Sequence, residues 1–170
     1  MRQRQASNNY NIVLAVYGEG CLIAMNKHNI LVLYNSISNA TGTVVEYLQS
    51  FERYSRYNVY YMDCDVEMQL NVPLKPFDGI IIFYSVAYGF RLTGFSSPLA
   101  RQIASYSGAK ICIIQDEYDS VNNTCEALAG MKIDALVTVM QRKEARKIYG
   151  IASLRHMELL YELTDRKSVV

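Results

Sequence analysis

The chain has 170 residues, an apolar fraction of 51% and a charged fraction of 19%. These values describe one globular domain with enough apolar side chains for a core, and they exclude a disordered tail. Seventeen basic against sixteen acidic residues leave a formal charge of +1, which argues against nucleic acid as a partner, since phosphate neutralisation calls for a marked basic excess.

The chain opens on Arg2 and Arg4 and two short apolar stretches, residues 12–17 and 21–25, separated by Gly18, Glu19 and Gly20. The interruption and the lack of a small-x-small cleavage site argue against a signal peptide, and the stretches are too short and too charged to span a membrane. Residues 1–27 are therefore expected to be a leader or an extra strand. Cys21, Cys64, Cys112 and Cys125 show neither CxxC nor His-paired spacing. That pattern gives no zinc site and reads as reduced thiols in a cytoplasmic protein.

A regular rhythm begins at Asn29. Residues 30–34 (ILVLY) form an unbroken apolar strand, and the polar loop 35–42 leads into a helix whose Val44, Tyr47, Leu48 and Phe51 share one face. Thr41 or Thr43 is placed to cap that helix. Residues 57–62 read as an aromatic strand ending at Asp63-Cys64-Asp65. Residues 77–84 (FDGIIIFY) read as the most apolar strand of the chain. Pro98 opens a helix with Leu99, Ile103, Ala104 and Tyr106 as its inner stripe. Residues 110–115 form a buried strand, 121–131 a helix, 133–139 a last strand and 141–149 a polar helix closed by Gly150. Residues 151–170 are expected to be a tail, either a helix or an extended linker. Continuous apolar strands alternating with amphipathic helices predict a three-layer, doubly wound, mostly parallel α/β sheet over residues 28–150.

Sheets of this kind take ligands at the carboxyl ends of their strands. That rule selects Asn35, Ser36, Ser38 and Thr41 after the first strand, Tyr84, Ser85 and Arg91 after the third, and Asp116, Glu117 and Tyr118 after the fourth. The first loop suits either a plain turn or an anion at a helix N-terminus. Asp119 reads as a solvated start to the next helix, whereas Asp116 and Glu117 lie where a sugar hydroxyl or a base would be hydrogen-bonded. No GxGxxG, GxxxxGK[ST] or GxSxG is present. His28 and His156 fall away from the expected edge, so no cofactor, metal or catalytic residue is assigned.

Four segments, ILVLYNSISNATGTVVEYLQ (30–49), LKPFDGIIIFYSVA (74–87), ICIIQDEYDSVNNTCEALA (111–129) and IDALVTVM (133–140), together resemble a bacterial glycosyltransferase family. IIQDEYDSVNNT is the most specific piece. The resemblance implies the Rossmann-like N-terminal domain of a two-domain, GT-B type enzyme. In such enzymes this half faces the sugar or glycan acceptor and a following domain grips the nucleotide sugar. The given sequence stops at Val170, where that following domain would begin, so the expectation is an acceptor-side domain without its donor half. Residues 30–43 with ATGT at 40–43, and residues 77–89, also resemble a flavodoxin, which would imply an FMN-binding module. A receiver-like or scaffolding module has the same fold.

Overall fold

The computed structural model describes residues 28–36, 42–115, 117 and 119–161. The first strand, β1 (Asn29–Tyr34), is buried along nearly all its length, as its unbroken apolar sequence requires. It is followed by α1 (Gly42–Tyr54), β2 (Asn58–Asp63) and β3 (Gly79–Ile82). Three short helices come next, α2 (Tyr84–Ala87), α3 (Phe90–Thr93) and α4 (Pro98–Ala104), then β4 (Ala109–Ile114), α5 (Val121–Met131), β5 (Ala135–Thr138), α6 (Arg142–Tyr149) and β6 (Glu158–Tyr161). The six strands of the described residues form one sheet in the order β2-β1-β3-β4-β5-β6, and every adjacent pair is parallel. The expected three-layer α/β architecture is the one observed.

The strand order reverses once, between β1 and β3, because β2 lies on one side of β1 and all later strands on the other. Right-handed crossovers then send α1 to one face and the later helices to the opposite face. The packing follows that rule. Val44 and Leu48 of α1 pack with Val32, Tyr34, Phe83 and Ile113, joined by the rings of Tyr47 and Phe51. On the other face Leu31, Leu33, Ile80, Ile82, Cys112, Ile114 and Leu136 meet Val86, Phe90, Leu99, Ile103, Leu128, Met131 and Tyr149. Successive apolar residues of β1 to β5 alternate between the two clusters, as a period of two requires.

Local signals explain the helix ends. Pro98 occupies the first turn of α4, and the Ser97 hydroxyl accepts the Ala100 amide at 3.2 Å, a side-chain N-cap. Helix α5 is bracketed by two left-handed residues, Ser120 (φ 50°) and Lys132 (φ 56°). Gly130 lies under the Phe95 ring so closely that a Cβ there would stand 2.2 Å from Cδ2, so the close approach of the 94–96 turn to α5 needs glycine.

Two expectations need correction. Residues 152–161 are neither a tail helix nor an extended linker: a 3-10 turn, Ala152–Leu154, leads into β6, which pairs with β5 from Ala135↔Glu158 to Thr138↔Tyr161. The sequence 158–161 (ELLY) is short, but Leu154 and Met157 are buried, and that burial anchors the strand. Nor does the apolar run at 77–84 continue as strand to its end. β3 stops at Ile82, and Tyr84 and Ser85 begin α2. Phe83 still donates its amide to Leu33 at 2.9 Å, which fixes where the chain turns. Residues 1–27 lie outside the described residues. No described helix is long and apolar enough to cross a membrane.

Candidate functional site

The carboxyl edge of the sheet carries two groups of polar side chains. The first lies at the strand reversal, beyond β1. There the Ser85 hydroxyl accepts the Asn35 amide at 3.0 Å, the Asn35 side chain donates to Asp65 at 3.3 Å, and the Ser36 amide donates to Asp63 at 2.9 Å. Asp65 also accepts the Glu67 amide at 3.0 Å. These contacts tie the start of the β1–α1 connection to the ends of β2 and β3. Between the two aspartates, burial pushes the Cys64 thiol up to about 12, with the charges of Asp63 and Asp65 adding to the rise, so this thiol is inert at neutral pH. Ser38 and Thr41 lie outside the described residues, as do Asp116 and Tyr118, so the expectations for these four residues have no structural counterpart.

The second group lies beyond β3, β4 and β5. Tyr84, Tyr88, Arg91, Gln115, Glu117 and Asp119 line one small recess together with Thr124 and Tyr149. It encloses about 10 Å³, room for about one water. At its base Glu117 is 5% exposed. Its carboxylate accepts a forked hydrogen bond from the Thr138 hydroxyl at 2.8 and 2.6 Å and another from the Tyr149 hydroxyl at 2.8 Å. Thr138 in turn accepts the Met140 amide at 3.0 Å. Burial raises the Glu117 pKa above the ordinary carboxylate value, although the hydroxyl donors, the Met140 amide and the Arg91 charge all pull it down. Burial, followed by the neighbouring Glu117 carboxylate, drives the Tyr149 phenol far up, so Tyr149 remains a donor.

Arg91 forms the side of the recess and is 7% exposed. Its Nη2 donates to the Gln115 carbonyl, and the Tyr88 ring lies 4.6 Å from Cζ, a cation–π distance. The Asn123 side chain donates to the Arg91 carbonyl at 2.8 Å and so joins α3 to α5. Tyr88 is 56% exposed and presents its ring at the rim, and Asp119 is exposed there as well.

The expected residues are thus divided. Tyr84, Arg91 and Glu117 come together in the recess. Asn35, Ser36 and Ser85 form the separate network at the strand reversal. Thr138 and Tyr149, which complete the Glu117 network, were not among the expected residues. Thr138 is a lone hydroxyl in the apolar stretch 135–138, and that was the available signal; Tyr149 lies on a helix that reads only as polar and solvated. Among the described residues no three His, Cys, Asp or Glu side chains gather as ligands for a metal.

Comparison with protein-family models, with curated proteins and with solved structures finds no match for this chain.

Proposed function

We propose that the carboxyl edge beyond β3, β4 and β5 is the acceptor-facing wall of a bacterial, cytoplasmic glycosyltransferase of the two-domain GT-B kind. The observation that carries this reading is the shape and chemistry of the recess. Tyr84, Tyr88, Arg91, Gln115 and Asp119 gather where doubly wound sheets take ligands, yet they enclose about 10 Å³, far less than a sugar ring fills. A ligand bound here lies against a wall and is open on its other side, as an acceptor in an interdomain cleft is. Aromatic rings at the rim suit the apolar face of a sugar, and amide and carboxylate groups suit its hydroxyls. The resemblance of residues 30–49, 74–87, 111–129 and 133–140 to the family supports the same reading.

In this role the wall orients an acceptor hydroxyl toward a nucleotide sugar held by the opposing domain. The acceptor oxygen forms the new bond to the anomeric carbon as the bond to the nucleotide diphosphate breaks, and the hydroxyl proton passes to the departing diphosphate or to solvent. Orientation is the contribution of this edge, and none of its residues is assigned as acid or base. A specific observation keeps the FMN-binding reading as a second one: the order β2-β1-β3-β4-β5 is that of flavodoxin-like sheets, which hold FMN at the β1/β3 reversal.

A thermal-shift titration with neutral methyl glycosides, nucleotide sugars and FMN tests the reading. Stabilisation by a glycoside is expected, and it should be lost on Tyr88→Ala. Stabilisation by FMN alone, with a yellow protein, would replace the acceptor wall with the flavin site.

A further inference from the structure

We propose that Arg91 is an oxyanion grip that takes a carboxylate or phosphate group carried by the acceptor. The inference rests on the acceptor-wall reading and adds the charge of the ligand to it. A guanidinium has five N–H donors and a permanent charge, and burying it requires both to be met. Arg91 is 7% exposed, yet among the described residues its side chain makes a single hydrogen bond, from Nη2 to the Gln115 carbonyl. Among the described residues no carboxylate oxygen lies within 4.0 Å of it.

The nearest buried acid, Glu117, is already committed. Both of its oxygens accept from Thr138, and one also accepts from Tyr149. It acts on Arg91 through space but leaves the guanidinium donors unspent. Those donors belong to a side chain that lines the recess. With Nη2 engaged, the remaining donors of the fork suit an anionic oxygen of a carboxylate or of a phosphate presented at the recess. The Tyr88 ring, 4.6 Å from Cζ, holds the guanidinium from one side and keeps that fork in place.

The rim adds selectivity. Asp119 is exposed at the same recess and repels a dianion more strongly than a monoanion. The recess, with room for about one water, admits one oxygen of the anionic group at its mouth and not the body of a sugar. A hexuronate carboxylate is therefore expected to bind more tightly than a sugar phosphate.

Isothermal titration of the 170-residue chain with methyl glucuronide, glucose 6-phosphate, uncharged methyl glucoside, acetate and inorganic phosphate tests this, repeated with Arg91→Lys and Arg91→Gln. The uronide should bind about tenfold more tightly than the neutral glycoside. Arg91→Lys, which keeps the charge without the fork, should reduce that advantage, and Arg91→Gln should abolish it. Equal binding of uronide and neutral glycoside by the wild type would overturn the grip and leave the acceptor wall standing. Arg91-dependent binding of acetate or phosphate with no glycoside binding would uphold the grip and overturn the acceptor wall. No binding by any probe would overturn both. If Arg91→Gln does not fold by circular dichroism, the wild-type ranking of charged over neutral ligands and its response to Arg91→Lys decide alone.

Discussion

At the carboxyl end of β1 the polar side chains chiefly accept backbone amides, whereas beyond β4 and β5 a buried carboxylate is held chiefly by side-chain hydroxyls. Ser85, Asp63 and Asp65 accept amides of Asn35, Ser36 and Glu67, so their work is to hold a connection in place. Glu117, Thr138 and Tyr149 form a side-chain network out of water, and Arg91 stands beside it with donors in hand. Polar loops are expected after any parallel strand, because turns need Ser, Asn, Asp and Gly. A buried acid and a buried base side by side are not needed by a turn. The difference teaches that the strand ends richest in polar residues need not be the ones that can bind.

The comparison breaks most sharply at Glu117. Replacing it by alanine leaves the Thr138 and Tyr149 hydroxyls without their acceptor, at about 1–3 kcal/mol each. Urea denaturation of Glu117→Ala should therefore show a loss of about 2–6 kcal/mol. A loss indistinguishable from zero would mean that the network carries no weight. Ser85→Ala removes the acceptor of the Asn35 amide, and a loss of about 1–2 kcal/mol is expected, since one buried donor and not two is left without its acceptor. If Ser85→Ala cost more than Glu117→Ala, the assignment of scaffold and site would be reversed. Tyr149→Phe removes one donor but leaves the forked bond from Thr138, so about 1 kcal/mol is expected from the same denaturation curves.

The mildest perturbation is of pH. Burial raises the Glu117 pKa above its ordinary 4.5, so the folded chain holds this proton more tightly than the unfolded chain does. The resulting stabilisation is complete below pH 4.5 and is lost as the pH climbs through the raised value. Glu117→Gln does not titrate, so its stability relative to the wild type should improve from acid to neutral pH. Melting curves of both proteins across that range check the sign, and an opposite trend would mean that the Arg91 charge and the hydroxyl donors outweigh burial.

Much of the sheet was legible in the sequence because apolar runs such as ILVLY at 30–34 and the stretch 111–114 have no solvated face to offer. Pro98 announced α4, and the spacing of Val44, Tyr47, Leu48 and Phe51 announced the inner face of α1. β6 was not legible: four residues, ELLY, with alternating exposure carry too little periodicity to tell a strand from a helix turn, and only pairing with β5 makes them one. The end of β3 was misjudged for a related reason. Phe83 and Tyr84 are strand formers by propensity, yet packing of Val86 and Ala87 against the core turns the chain into α2. At the site, Tyr84, Arg91 and Glu117 followed from the rule that ligands gather at strand ends. Thr138 and Tyr149 did not, because their partner lies 21 and 32 residues away and no local pattern encodes that separation.

The most direct measurement is amide chemical-shift mapping of the folded chain during titration with methyl glucuronide. Shifts confined to Tyr84, Tyr88, Arg91, Gln115 and Asp119, with Asn35, Ser36 and the residues from Asp63 to Asp65 unmoved, are the predicted result. Shifts centred on Asn35, Ser36 and the first turn of α1, with the recess silent, would contradict the account and move the binding site to the strand reversal.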